Sequence, residues 1–310
     1  MHLRIYKAKR LDFWRLPVET FTSRSTKMSG RKCIKAQNVL ITGCSSGIGR
    51  TLALEFHHRG YRVWATARNV KSVEELSAKG MEILTLDVTD REQVQQAVKH
   101  IYTVDGHLDI LVNNAGYGSM GPLIDLPEDE LERQFSTNVF APMALVRSVA
   151  PKMCQRRQGT IVNIGSVSGV LCTPFSGSYC ASKAAINALS DVLRMELKPF
   201  GVGVVTVQPG GVRSKFGDTA SQVLNTVMKP DSIYVPIERQ VQARAMASQD
   251  NPTPAEQFCS DLVDKLESGR RLNIVRLAYG SFAFPLLKAL VPTALLEKIL
   301  RKNFGLDRLE

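Results

Sequence analysis

Asn38-Val39-Leu40-Ile41-Thr42-Gly43-Cys44-Ser45-Ser46-Gly47-Ile48-Gly49 is the stretch that decides the architecture of this chain. A short run that is apolar on both faces suits a strand buried in a parallel sheet better than one with a wet side. The run ends in closely spaced glycines, and Arg50–Arg59 follows as an amphipathic segment that stops at Gly60, a credible helix-terminating residue. Glycines at a strand-to-helix junction let the backbone approach a pyrophosphate and set it on the helix N-terminus, where free amides and the dipole favour negative charge. Gly43, Ser45, Ser46, Gly47, Ile48 and Gly49 are therefore read as a phosphate cradle. The spacing departs from GxGxxG, and glycines also arise at such junctions by chance.

The same rhythm extends outward. Strand-like runs are expected at Asn38–Thr42, Tyr61–Thr66, Met81–Val88, Leu108–Asn113, Thr160–Ile164 and Val202–Val207. Amphipathic segments alternate with them at Arg50–Arg59, Asp90–Tyr102, Glu128–Ala150 and Ala181–Leu197. This alternation predicts an α/β fold, a doubly wound parallel sheet of Rossmann type in a single domain over 37–310. Residues 212–270 lack strong strand signals and carry the helix-like stretches Glu238–Ser248 and Pro254–Glu267. Ligands of open α/β sheets sit outside the carboxyl ends of the strands, so 212–270 is read as a helical substrate lid, with plain surface helices as the other reading. A C-terminal helical tail follows.

Composition excludes several classes. The chain has 310 residues, 44% of them hydrophobic and 22% charged, and no stretch approaches the ~20 apolar residues of a membrane-spanning helix. Cys33, Cys44, Cys154, Cys172, Cys180 and Cys259 show neither CxxC pairing nor metal-ligand spacing, so reduced thiols and no metal site are expected. The net charge of +11 is concentrated in front: ten of the 40 basic residues, but two of the 29 acidic ones, precede residue 37. The remainder is nearly neutral, which removes most of the case for nucleic acid. The basic leader, 1–36, reads as a disordered extension, an organellar targeting peptide, or a membrane-surface segment with Leu3, Ile5, Leu11, Phe13, Trp14 and Leu16 among its cations.

The end of the second strand separates two nicotinamide cofactors. An acid there holds the ribose hydroxyls of NAD, whereas a cation without that acid accommodates the 2′-phosphate of NADP. Here Ala65-Thr66-Ala67-Arg68 supplies Arg68 and no carboxylate, which favours NADP(H); Asn69 and Ser45 are placed to add hydrogen bonds. Asp87, with Val88 beside it, ends the third strand and is read as an acceptor for an adenine amino group or as a helix cap. Asn114 and Ala115, after the fourth strand, fit a tight passage beside a ribose, or equally a polar turn tying strands together.

Tyr179 and Lys183 lie four apart, and on a helix i and i+4 share a face. A tyrosine near its ordinary ~10 is a poor proton donor at neutral pH, and a neighbouring cation is expected to lower it. Ser166, at the end of the fifth strand, shares the carboxyl rim with Gly43 and Asn114, and its hydroxyl is suited to polarising a carbonyl. Asn138 is expected either to hold a water that relays protons to Lys183 or to make a local bond to the backbone. After the sixth strand, Pro209 and Gly210 form a rigid turn, with Val212 and Ser214 placed beside a carboxamide. Arg213 and Lys215 are the cations placed to meet a substrate phosphate, if they are not simply solvated.

TGCSSGIG (42–49), NNAG (113–116), Ser166, YCASK (179–183) and PGGVRS (209–214) together resemble the short-chain dehydrogenase/reductase family. The resemblance covers 37–310 and lies in the branch related to the 17-beta-hydroxysteroid dehydrogenases. It is closest to the 1-acyldihydroxyacetone-phosphate reductase subgroup, which the tail also resembles at Leu290-Val291-Pro292 and Asn303–Leu309. The resemblance implies a catalytic tetrad of Asn138, Ser166, Tyr179 and Lys183, NADPH-dependent reduction of a lipid-like ketone, and a homo-oligomer. It further implies peripheral contact with the endoplasmic reticulum or lipid droplets on their cytoplasmic face. A hydroxysteroid, retinoid or polyketide-type carbonyl is the alternative substrate; a catalytically silent NADP-binding or membrane-surface protein is the alternative of another class.

Overall fold

The computed structural model describes residues 37–270 and 272–310; the basic leader and its readings lie outside the described residues. Seven parallel strands form one sheet in the order β3-β2-β1-β4-β5-β6-β7. In chain order the elements are β1 (Asn38–Ile41), α1 (Gly47–His58), β2 (Arg62–Ala67), α2 (Glu74–Ala78), β3 (Glu82–Thr85), α3 (Arg91–Asp105), β4 (Ile110–Asn113), α4 (Glu128–Phe135) and α5 (Ala141–Arg156). They continue with β5 (Gly159–Ile164), α6 (Gly177–Leu197), β6 (Val202–Pro209), α7 (Phe216–Val227), α8 (Glu238–Met246), α9 (Ala255–Glu267), β7 (Ile274–Leu277), α10 (Ala283–Leu290) and α11 (Thr293–Asn303).

The expected doubly wound fold is present, and its two faces are separate cores. Val39 and Ile41 of β1 point to one face, with Leu52 and Phe56 of α1 and Phe258, Leu262 and Val263 of α9. Leu40 points to the other, with Ile101 of α3, Val149 of α5 and Leu193 of α6. This alternation along an all-buried strand is why β1 reads as continuously apolar. The chain order reverses between β1 and β4, which opens a crevice at the carboxyl rim where ligands of such sheets bind.

Three details differ from the sequence expectation. β7 pairs with β6 from Thr206↔Ile274 to Pro209↔Leu277 and was not expected, being four residues inside a polar stretch. The helix expected over Glu128–Ala150 is interrupted by a π turn at Ser136–Phe140, and α5 then runs on to Arg156. The stretch 212–270 divides. α7 and α8 join Met120, Phe175 and Tyr179 in a small third core above the rim, while α9 is the crossover to β7 packed on α1. Arg59, just after α1, binds Asp264 and Glu267 of α9, each at 2.7 Å.

Candidate active site

The carboxyl ends of β1 to β6 open into one cavity of about 1010 Å³. At one end it is lined by Gly43, Ser45, Ser46, Gly47, Ile48, Arg68, Asp87, Val88, Asn114 and Ala115; at the centre by Ser166, Tyr179, Lys183, Pro209, Gly210 and Ser214. Five expected residues do not line it: Gly49, Asn69, Asn138, Val212 and Arg213.

The loop after β1 is shaped by close backbone approach. Gly43 has φ +73°, and a Cβ there would stand 2.9 Å from Ala115 Cα. A Cβ on Gly49 would meet Gly43 O at 2.3 Å and Asn114 Nδ2 at 2.4 Å, so Gly49 acts by permitting the turn rather than by facing the cavity. Asn114 Nδ2 donates to Thr42 O at 2.8 Å, and Thr42 Oγ1 accepts the Asn114 and Ala115 amides at 3.0 Å each. Asn114 thus ties β4 to β1 while lining the cavity, joining the two readings of that motif. Asp87 Oδ1 accepts from Thr89 N and Oγ1; the cap of α3 is Asp90.

A buried ladder sets α6 against the rim. Asn113 Nδ2 donates to Asn163 Oδ1 at 2.8 Å, and Asn163 Nδ2 donates to Ser190 Oγ at 2.8 Å, linking β4, β5 and α6. Lys183 Nζ donates to Ile164 O at 2.7 Å, and the Ser166 hydroxyl is close enough to act on the Tyr179 phenol. Tyr179 and Lys183 therefore share one face of α6, as their spacing requires.

The electrostatics differ from expectation. Burial pushes the Tyr179 phenol up to about 12, against the lowering contributions of the Ser166 hydroxyl and the Arg244 charge. Burial brings Lys183 down to about 8. The expected depression of the phenol by Lys183 is absent: the ammonium is itself desolvated and is held by Ile164 O, and it lies 5.8 Å from the centre of the tyrosine ring. Tyr179 rests as the neutral acid, the form that gives a proton.

Asn138 is committed elsewhere. Its Oδ1 accepts from Tyr117 N at 3.2 Å, and its Nδ2 donates to Tyr117 O at 3.0 Å and Ser182 Oγ at 3.1 Å. The side chain, read either as a water holder or as a partner of the backbone, is a strut between the loop after β4 and α6. Val212 is buried in the core beneath the rim. Of the two cations read as phosphate contacts, Lys215 lines the cavity and Arg213 does not.

Residues 37–224 match the short chain dehydrogenase family. The chain belongs to that family. It is an oxidoreductase with an NAD(P)-binding Rossmann-type domain. The dehydrogenase is 38% identical over 278 residues to short-chain dehydrogenase ptmH of Penicillium ochrochloron, covering 88% of this chain and 100% of that one. It is 36% identical over 223 residues to the NADPH-dependent 1-acyldihydroxyacetone phosphate reductase of Schizosaccharomyces pombe, covering 71% and 73%. A short chain dehydrogenase/reductase from Burkholderia phymatum, solved with NAD, superposes with TM-score 0.70 at 25% identity, covering 85% and 95%.

The residues present fit a dinucleotide of this kind. The close-approach glycines form a cradle that side chains would fill, and the cavity runs unbroken from Arg68 to Tyr179 and Lys183.

The sequence reading missed the rest of the wall. Tyr117, Met120 and Arg133 approach from the loop after β4 and from α4, Phe216 from α7, and Arg244 from α8. Phe284, Leu287, Leu296, Ile299 and Leu300 close it from α10 and α11. One signal for Arg244 was available: it lies three residues after Val241 and seven after Ile237, on the apolar stripe of its helix.

Proposed function

We propose that this dehydrogenase is an NADPH-dependent reductase of a lipid-like ketone, with 1-acyldihydroxyacetone phosphate as the favoured substrate. The observation behind this reading is the two-ended cavity. One end has the glycine cradle and Arg68 with no acid at the β2 terminus; the other is walled by Phe284, Leu287, Leu296, Ile299 and Leu300. An acyl chain suits the apolar wall, and Arg68 suits a 2′-phosphate. The relative from Schizosaccharomyces pombe supports the substrate class.

When bound, the nicotinamide supplies the hydride that reaches the carbonyl carbon. Tyr179 gives its phenolic proton to the carbonyl oxygen as charge develops there, and Ser166 offers that oxygen a second hydrogen bond. Lys183 orients the ribose side of the cofactor from its anchor on Ile164 O. Asn138 positions the loop that walls the site. Helices α7 and α8 cover the crevice as the lid.

The C-terminal helices support a lipid-surface location for this reading. Phe282, Leu286 and Leu290 are exposed beside Lys288, and Leu295 and Ile299 lie beside Lys298, Arg301 and Lys302. An apolar face edged with cations suits peripheral docking on an anionic lipid surface. We place the protein on the cytoplasmic face of the endoplasmic reticulum or lipid droplets, as a homo-oligomer, by resemblance. Flotation of the full chain with anionic vesicles tests the docking; Leu286→Glu with Leu290→Glu should abolish it.

NADPH oxidation by the full chain tests the activity, comparing palmitoyl-dihydroxyacetone phosphate with steroid, retinal and quinone carbonyls. Turnover of the acyl phosphate is expected. Turnover of the unphosphorylated carbonyls alone would move the enzyme to steroid, retinoid or secondary metabolism, and no turnover with any would favour a silent binding protein.

A further inference from the structure

Arg244 on α8 is nine-tenths buried, at 9% exposure, and lines the cavity that holds Tyr179. Three less buried arginines have carboxylate partners. Arg59 has Glu55, Asp264 and Glu267; Arg156 has Asp109; Arg194 has Asp191. Arg244 has none among the described residues. Its hydrogen bond there runs from Nε to Thr173 Oγ1, at 2.9 Å. The thiol of Cys180 lies near enough to feel its charge but accepts no hydrogen bond from it.

A guanidinium has five N–H donors in a fixed fork and cannot shed its charge at neutral pH. Burying one without an anion is costly, so the expected arrangements are a carboxylate partner or an open place for a ligand. Arg244 lines the cavity, so its guanidinium borders the space a ligand would occupy. The bond to Thr173 fixes the fork in place. Thr173 Oγ1 contacts Ser176 Oγ at 2.9 Å, and Ser176 in turn contacts Cys180 at 3.3 Å, beside Tyr179. The guanidinium is anchored on its Nε edge, which leaves the Nη edge for a bidentate acceptor. Its charge also reaches the Tyr179 phenol, so the two groups address one ligand.

We propose that Arg244 is the anion subsite of the substrate pocket. It receives the phosphate monoester or carboxylate of an amphiphilic ketone whose carbonyl faces Tyr179 and whose chain lies along Leu287, Leu296, Ile299 and Leu300. The place of the carbonyl rests on the reductase reading above; the anion subsite itself does not require turnover. Lys215 lines the same cavity, but Arg244 is the more deeply buried of the two cations. Phe216 and Phe284 line the same cavity and add to its apolar wall, and a charge-assisted bond is stronger in such surroundings.

The test is binding of decyl phosphate, decanoate and decanol to the full chain by titration calorimetry. Wild type is compared with Arg244→Gln, which keeps a polar side chain near Thr173, with Arg244→Met, and with Arg244→Lys. Wild type should prefer an anionic amphiphile over decanol, and Arg244→Gln and Arg244→Met should lose about 10- to 100-fold of that preference, the range for a charge-assisted hydrogen bond. Arg244→Lys should regain part of it. Whether decyl phosphate or decanoate shows the larger loss assigns the headgroup. A wild type with no preference for either anion, or a preference that survives in both neutral variants, overturns the proposal. Failure of ketone turnover with this binding result intact would instead refute the reductase reading.

Discussion

The ammonium of Lys183 donates to the carbonyl of Ile164 at 2.7 Å, while the ring of Tyr179, one helical turn away, has its centre 5.8 Å from that nitrogen. The pair is thus organised by the end of β5, and the lysine acts as a held cation behind the phenol. Both groups are almost fully buried, Tyr179 at 9% and Lys183 at 7% exposure. Burial moves them in opposite directions, the acid up and the base down, because it opposes charge on each.

A pH profile follows. With the phenol up at about 12 and the lysine down at about 8, both carry their protons at pH 6–7, the state that reduction requires. Ketone reduction should be flat there and fall on the alkaline side as Lys183 loses its charge. The pH dependence of kcat/KM for NADPH, which reports the free enzyme, checks this. A rate that climbs steadily from pH 6 to pH 9 would contradict it.

Stability carries the same signature. Lys183 drops from 10.5 to about 8 in the folded protein, so between those values the unfolded chain binds more protons and stability rises with pH. Below about 8 the destabilisation is fully present. Lys183→Met should therefore stabilise the fold at pH 7 by about 1–3 kcal/mol, allowing for the hydrogen bond lost at Ile164 O, with the gain vanishing above pH 10.5. Thermal denaturation at pH 7 measures it; a lower Tm than wild type is the contrary result.

Arg68 lines the cavity at the end of β2, where no carboxylate stands. Arg68→Ala should cut the NADPH-over-NADH preference in kcat/KM by about 10- to 100-fold, the scale of one charge-assisted contact with phosphate. An unchanged ratio would remove Arg68 from cofactor selection.

Gly49 is the tightest point of the cradle. In Gly49→Ala the new methyl would fall 2.3 Å from the Gly43 carbonyl oxygen, a backbone atom with little freedom to retreat. A loss of about 1–3 kcal/mol is expected, together with weakened NADPH binding. Denaturant titration and cofactor fluorescence read both effects, and a variant matching wild type in both would show that the loop tolerates a side chain.

The rim of the sheet was legible from sequence because its chemistry is local. Gly43, Asn114, Ser166 and Pro209 each follow an apolar run, so the fold brings them together once the strands are recognised. β7 was not legible: Ile274-Val275-Arg276-Leu277 is too short to stand out, and its place comes from pairing with β6. The role of Asn138 was ambiguous because an amide can bind water or backbone equally well; the bonds of its side chain to the Tyr117 backbone depend on the loop after β4, which its local sequence does not place. Arg244 looked like any surface cation of a polar helix. Its importance comes from α8 folding over the rim, a tertiary fact visible in sequence only through its place on the apolar stripe.

The most direct test of the account is Tyr179→Phe, which removes one oxygen from a buried ring. NADPH oxidation with palmitoyl-dihydroxyacetone phosphate and NADPH affinity should be measured on the same preparation. The account predicts a fall in kcat of about 10²- to 10⁴-fold, the usual weight of a general acid, with affinity for NADPH close to wild type. A kcat within tenfold of wild type would contradict it, because the proton would then come from another group.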